Sequence, residues 1–282
     1  MIIVGCSNSK KLAKKIGEKL NFSYQELALE DFPDGEMHLN FKGNLKNQTV
    51  ALVQSFYPNP NHSLIEVMFA ASNARDLGAN KIILIAPYLA YLREDERISP
   101  GECISSKVIG DVLSRNFDAI ITVEPHLHRH NLNNVFSIPV YKVDISDLLK
   151  NYIKKNFKGV QIVGINEAGS DLVKKLDFNA IILNKKRKNY FNVSIRGNHN
   201  LSKEREVLIV DDVISSGSTM IEAIKFLKSR KVNCFSVHPV FIGGALRELE
   251  KYADRIVSSN TIYHETNNLD VSNLIAKKLM EI

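Results

Sequence analysis

The chain has 282 residues, 44% hydrophobic and 24% charged, with 37 basic against 31 acidic side chains and a net charge of +6. That length exceeds one small domain and suits two α/β domains of about 140 residues each; the modest positive balance suits anionic small molecules, and the chain lacks an aromatic-rich basic module, so no nucleic-acid partner is expected. No apolar run nears the roughly 18 residues that span a bilayer, and the opening MIIVGCSNSKKLAKK runs apolar before basic, the reverse of a secretion leader, so a cytoplasmic protein with no membrane partner is expected.

In chain order, the apolar runs predict strands at Ile2–Val4, Val50–Gln54, Lys81–Ala86, Ala119–Val123, Val140–Val143, Gln161–Val163, Ala180–Leu183, Val207–Val210, Phe235–Val240 and Arg255–Val257. Helical spacing between them predicts helices at Lys10–Leu20, Leu64–Leu77, Ser105–Arg115, Ile145–Asn156, Ser170–Leu176, Thr219–Ser229 and Val271–Met280, with Gly78 as a helix C-cap. Such alternation predicts an α/β fold of mainly parallel sheets flanked by helices, with domains at 1–143 and 144–282. Ile3-Val4-Gly5 followed by Leu12–Lys15 is echoed by Ile162-Val163-Gly164 followed by Leu172–Lys175. An internal duplication explains the echo, and so does the general likeness of any two βα units. Cys6, Cys103 and Cys234 are far apart, form no CxxC pair, and are expected to be buried reduced thiols.

The chemistry-bearing motifs follow strands, where open parallel sheets bind ligands. Asp31–Glu36 (DFPDGE) reads as a Pro-Asp-Gly turn with the Phe32 ring exposed. Such a ring can stack on a base while Asp34 and Glu36 accept from an amino group; a plain turn with a hydrophobic anchor explains the same residues. In Pro87–Lys107, Arg93 and Arg97 flank Glu94, Asp95 and Glu96. A guanidinium fork can clamp a polyphosphate, although solvated charge clusters are the usual fate of such runs. Glu124–His130 (EPHLHRH) places three histidines at alternate positions, which suggests metal or phosphate contact, but no fourth zinc ligand is evident and His128 and His130 read as solvent-facing. Leu183–Arg187 (LNKKR) ends a strand before a polar, Asn-rich stretch, 188–203, that reads as a loop. The most informative segment is Val207–Met220 (VLIVDDVISSGSTM): a strand, the acids Asp211 and Asp212, a turn of small donors, then a helix. Free N–H groups and the helix dipole there would hold a phosphate, and the acids would reach sugar hydroxyls or a metal shell.

That segment resembles the ribose-5-phosphate loop shared by phosphoribosyltransferases and ribose-phosphate pyrophosphokinases. Other motifs turn the resemblance toward the pyrophosphokinases, in the style of their shorter archaeal-type members. DFPDGE is similar to their ATP-binding FxDGE segment, commonly shared across a subunit interface. Pro87, Tyr88, Tyr91, Arg93, Asp95, Glu102, Ile104, Ser105 and Lys107 match a second family pattern, with Glu94 where Gln is usual. The resemblance implies two similar phosphoribosyltransferase-like domains, ATP and ribose 5-phosphate as substrates, Mg²⁺ as cofactor, and a homodimer or higher homo-oligomer. It implies that Phe32, Asp34, Gly35, Glu36, Arg93, Glu94 and His126 bind ATP and that Asp211, Asp212, Ser215, Ser216, Gly217, Ser218 and Thr219 bind ribose 5-phosphate. His126 and Asn166 would serve the metal, and Lys185 and Arg187 would be catalytic. Asn166 stands where the family usually has Asp, and Asn184 where it has an acid. A phosphoribosyltransferase consuming PRPP would share Asp211–Thr219 without needing the Phe32 or Arg93 segments. A weakly active or regulatory relative would account for Asn166, Asn184 and Glu94.

Overall fold

The computed structural model describes residues 1–97, 99–127, 131–176, 178–187, 193–196 and 201–282, without the side chains of 166–168, 185–187, 193, 194 and 196. His128 and His130 lie outside the described residues. In chain order the first elements are β1 (Ile2–Gly5), α1 (Lys10–Leu20), β2 (Ser23–Glu26), β3 (Ala28–Asp31), β4 (Met37–Asn40), β5 (Thr49–Val53), α2 (Pro60–Asp76), β6 (Lys81–Ala86), α3 (Ser105–Asn116), β7 (Ala119–Val123), α4 (Leu132–Val135) and β8 (Val140–Val143). Next come α5 (Ser146–Asn156), β9 (Gln161–Ile165), α6 (Asn166–Lys175), β10 (Ala180–Arg187), β11 (Val193–Arg196), β12 (Val207–Ile214), α7 (Ser218–Leu227), β13 (Val232–Pro239), α8 (Ala245–Leu249), β14 (Arg255–Ser259), β15 (Asn267–Leu269) and α9 (Ser272–Met280).

The first sheet has the order β2-β1-β5-β6-β7-β8 and is parallel throughout. The second has the order β11-β10-β9-β12-β13-β14-β15, parallel except where β11 runs against β10. The central strands are buried on both faces, as in β7 (Ala119–Val123), where every residue is buried, so their sequences are unbroken apolar runs rather than alternating ones. Without β11, the two orders are the same winding. The registers carry the likeness further: Gly5 of β1 faces Val53 of β5, and Gly164 of β9 faces Val210 of β12. Gln54-Ser55 therefore occupy in the first sheet the place of Asp211-Asp212 in the second. The echo between Ile3-Val4-Gly5 and Ile162-Val163-Gly164 is one of topology and not only of local pattern.

Two compact units result, Met1–Asp144 with Thr261–Tyr263 and Val271–Ile282, and Ile145–Asn260 with His264–Asp270. This corrects the expected 144–282 domain. Buried Ile275, Ala276 and Leu279 of α9 pack against α1, whose Leu12, Ala13 and Ile16 are buried, and so α9 joins the first unit. Lys81 Nζ also donates to the Ile282 carbonyl at 3.1 Å. A second correction concerns the thiols. Cys6 and Cys234 are buried, but Cys103 is exposed on the loop before α3. Close packing of helices depends on small residues: a Cβ on Gly110 of α3 would lie 1.9 Å from the Val135 carbonyl oxygen.

Candidate active site

The carboxyl edge of the second sheet is built around β12, which runs past the acid pair to Ile214 because β13 stays paired with it as far as Pro239. Asp211 and Asp212 thus sit on a strand rather than in a loop, only 6% and 7% exposed. Asp211 Oδ1 accepts from the Asp212 N–H at 3.0 Å and Asp212 Oδ1 from the Val213 N–H at 2.8 Å. Each carboxylate is held by the backbone beside it. The chain then turns through Ser215 and Ser216 to Gly217, which caps α7 with φ +74°. The first turn of a helix has N–H groups without acceptors inside the helix, and its dipole is positive there. The first such bond that closes is Ile221 N–H to the Gly217 carbonyl, 3.0 Å. Ser216 and Ser218 hydroxyls meet at 3.0 Å. From the adjoining strand end, the Val240 and Phe241 N–H groups donate to the Ile214 carbonyl and Ile242 N–H to that of Ser215, which fixes the turn from behind.

Asn166 opens α6 directly from β9, beside this edge. A Cβ on Gly169 would be 2.7 Å from the Val210 carbonyl oxygen and 3.4 Å from Asp211 Oδ1, so glycine lets α6 lie against the base of the acid pair. Lys185 and Arg187 close a strand. They belong to β10, which continues into an antiparallel pair with β11, Lys185 opposite Ile195 and Arg187 opposite Val193. The stretch expected as loop therefore carries a strand.

In the first unit, DFPDGE is the turn of the β3–β4 hairpin. Phe32 N–H donates to the Glu36 carbonyl at 2.7 Å, Gly35 N–H to the Phe32 carbonyl at 2.8 Å, and Glu36 N–H to Asp34 Oδ1 at 3.1 Å. Gly35 takes φ +89° with open space around it, and the Phe32 ring is 53% exposed, 5.9 Å from the His38 ring. Arg93 and Glu94 are exposed on the segment after β6, while Asp95 beside them is buried. Tyr91 two residues earlier has φ +67°, a conformation that costs a non-glycine residue about 1–2 kcal/mol. Its hydroxyl is hydrogen-bonded to Asn61 Oδ1, and its carbonyl accepts from Ser105 Oγ at 3.2 Å. After β7, Glu124 (φ +34°) bonds Lys142 at 2.5 Å, and half-buried His126 follows it. A cavity of about 310 Å³ opens there between Pro125, Leu127, Asn131 and Lys142.

Sequence reasoning missed a buried polar cluster where β1 and β5 end. Glu66 of α2 is fully buried and accepts from Ser7 N–H at 2.7 Å, Ser7 Oγ at 2.6 Å, and Gln54 Nε2. Asn8 N–H donates to Gln54 Oε1 at 3.0 Å, and Asn8 Nδ2 to Ser63 Oγ at 3.0 Å. Burial raises the Glu66 pKa against the lowering effect of its Ser7 bonds, and burial beside Glu66 pushes the Cys6 thiol up. The signal was present in Ser7-Asn8-Ser9 after an apolar strand, but Glu66 on an apolar helix gave no local sign of its partners.

Among the described residues, no group of three or more His, Cys, Asp or Glu side chains converges on a point. A hard divalent cation held by one or two carboxylates, with water and substrate phosphates completing its shell, needs no such cage. The Asp211–Asp212 pair is an oxygen donor set of that kind. His126 belongs to the first unit and Asn166 to the second. No helix is long and apolar enough to cross a membrane among the described residues.

Two like-wound parallel sheets, one ending in an acid pair and a glycine turn at a helix N-terminus, define an α/β protein of two phosphoribosyltransferase-like domains. The profile of the N-terminal domain of ribose phosphate pyrophosphokinase matches residues 1–116, and that of the phosphoribosyl transferase domain matches 131–273. Ribose-phosphate pyrophosphokinase of Sulfurisphaera tokodaii is 30% identical over 99% of this chain and all of its own length. That of Methanobrevibacter smithii is 27% identical over 99% of this chain and all of its own. The crystal structure of phosphoribosylpyrophosphate synthetase from Mycobacterium smegmatis superposes with a TM-score of 0.84 at 21% identity, covering 99% of this chain and 97% of that one. The chain belongs to the ribose-phosphate pyrophosphokinase family of enzymes.

Proposed function

We propose that this enzyme transfers the β,γ-diphosphoryl group of MgATP to the anomeric hydroxyl of ribose 5-phosphate, giving PRPP and AMP. The observation that carries the reading is the β12–turn–α7 unit. Its buried acid pair is followed, after one short turn, by the helix N–H groups of α7. Ser215 through Thr219 hold the phosphate, and Asp211 and Asp212 take the ribose hydroxyls. Phe32 stacks on adenine with Asp34, Gly35 and Glu36 beside it, and Arg93, Glu94 and His126 serve the polyphosphate. The anomeric oxygen attacks the β-phosphorus, the bond from that phosphorus to the α–β bridging oxygen breaks, and AMP leaves with that oxygen; the hydroxyl proton goes to solvent. Charge gathers on the transferring oxygens, and Lys185 and Arg187 stabilise it. Bound Mg²⁺ would neutralise part of the triphosphate charge; His126 in the first unit and Asn166 in the second are the residues proposed to serve it, with Asp211 and Asp212 as further oxygen donors in the second.

A homodimer or larger homo-oligomer is part of the same proposal. Ile65 and Phe69 of α2 and Val108 of α3 are large apolar side chains left exposed, 41%, 49% and 50%. The decisive experiment is AMP release with ATP and ribose 5-phosphate in excess Mg²⁺. Turnover needing both substrates supports the proposal; loss of PRPP only with an added nucleobase would establish a phosphoribosyltransferase instead. Removing the cation with EDTA should abolish turnover, and Mg²⁺ should restore it.

A further inference from the structure

The first turn of α2 touches both segments assigned above to ATP, and it does so with residues that the resemblance does not claim. His62 Nε2 lies 3.2 Å from Asp31 Oδ1, the residue directly before Phe32. Asn61 Oδ1 accepts from the hydroxyl of Tyr91, two residues before Arg93. Deeper in the same helix, Ser63 and Glu66 fasten Asn8, Ser7 and Gln54, so the turn is itself anchored to a buried, fully hydrogen-bonded cluster. An exposed hairpin tip and an exposed arginine segment, otherwise far apart in sequence, thus share one rigid support.

We infer that Asn61 and His62 are positioning residues for the nucleotide, acting through Tyr91 on Arg93 and through Asp31 on Phe32. The inference rests on the proposed ATP site. The Tyr91 contact has a clear physical purpose. A left-handed tyrosine relaxes toward an ordinary conformation unless both ends are held, and such relaxation would swing the following residues, Arg93 included. Ser105 holds its carbonyl and Asn61 its ring. The Asp31 contact holds the hairpin at its turn end, where Asp31 is paired with Met37 directly beside Phe32. Every subunit of a homo-oligomer carries the same turn, so the effect is the same where the hairpin serves a neighbouring subunit's nucleotide.

The test is steady-state kinetics of Asn61→Ala and His62→Ala, with His62→Gln as the conservative partner and Phe32→Ala and Arg93→Ala as references. Loss of a neutral hydrogen bond and of an exposed pair predicts a KM for ATP raised about 3–10-fold in Asn61→Ala and about 2–5-fold in His62→Ala. In both, kcat stays within about twofold and the KM for ribose 5-phosphate is unchanged, because only nucleotide binding is misaligned. His62→Gln, which still donates to Asp31, should lie closer to the wild type. Adding Asp31→Asn to His62→Ala should cost less than the two separate effects multiplied. Equal rises in both KM values, or a fall in kcat tracking a lowered melting temperature, would overturn the inference in favour of a merely structural role. If Phe32→Ala and Arg93→Ala raise the ATP KM while the α2 variants leave it unchanged, the inference fails and the site stands. If the reference variants leave it unchanged, the site assignment fails and takes the inference with it.

Discussion

Gly217→Ala isolates the turn on which ribose-phosphate binding depends. At φ +74°, ψ −11° an L-residue is held in the left-handed region, at about 1–2 kcal/mol. Space is not the obstacle, because the added Cβ would meet the Ala245 carbonyl oxygen at 3.5 Å, an ordinary contact. Alanine also stiffens the unfolded chain, which returns about 0.4–1 kcal/mol. The net loss is therefore near 1 kcal/mol. A loop that twists to relieve it must disturb the Gly217 carbonyl, which accepts from Ile221 N–H at 3.0 Å, and with it the start of α7. Initial rates of AMP release at saturating ATP should show a KM for ribose 5-phosphate raised about 5-fold, the amount that 1 kcal/mol gives. The KM for ATP should not move, and the melting temperature should fall by about 2–4 °C. Gly217→Asn should do less harm, since asparagine tolerates this region better than alanine. Unchanged ribose 5-phosphate KM in Gly217→Ala, or a change confined to ATP, would refute the placement of the sugar phosphate at this turn.

Replacing Glu66 by Gln puts an amide N–H₂ among donors, the Ser7 N–H at 2.7 Å and Gln54 Nε2 included, and should destabilise the protein by about 1–3 kcal/mol in urea titrations. Because burial raises the Glu66 pKa above its ordinary 4.5, the folded protein binds that proton more tightly than the unfolded chain. Its contribution is complete below the ordinary value and lost as pH rises through the raised one; the stability gap to Glu66→Gln should narrow along that interval, and a gap that widens would reverse the sign of the shift. Gly169→Ala forces a Cβ to within 2.7 Å of the Val210 carbonyl oxygen, so stability should drop by about 1–3 kcal/mol and ribose 5-phosphate KM should rise with it; wild-type values for both would show that α6 yields freely.

The buried parallel strands were legible because nothing but an apolar run fits a strand covered on both faces, as KIILIA in β6 illustrates. The DFPDGE turn was legible for a local reason, the glycine at φ +89°. The polar strands were not. SYQE of β2 pairs with β1 at an edge and shows no exposed residue alternation strong enough to read, and the β3–β4 hairpin has strands of only four residues, half of them polar. Aspartate is disfavoured in strands, which is why the strand before the acid pair ended too early on paper; partnership with β13 overrides that preference. The candidate residues were all named from motifs, but motif order says nothing of the network that supports them. Asn61, His62 and Glu66 acquire their meaning from segments 12 to 59 residues away.

The return of α9 to the first unit has a consequence for how the protein is made. A polypeptide emerges from the ribosome in order, and domains ordinarily finish folding in that order too. Here the amino-terminal unit must wait with the α1 face that α9 covers still bare until residues 271–282 emerge, by which time the whole second unit has been translated. Nascent chains stalled before residue 270 should accordingly carry a half-dressed first unit, a natural target for chaperones, and its maturation should await synthesis of residues 271–282 rather than coincide with midpoint synthesis.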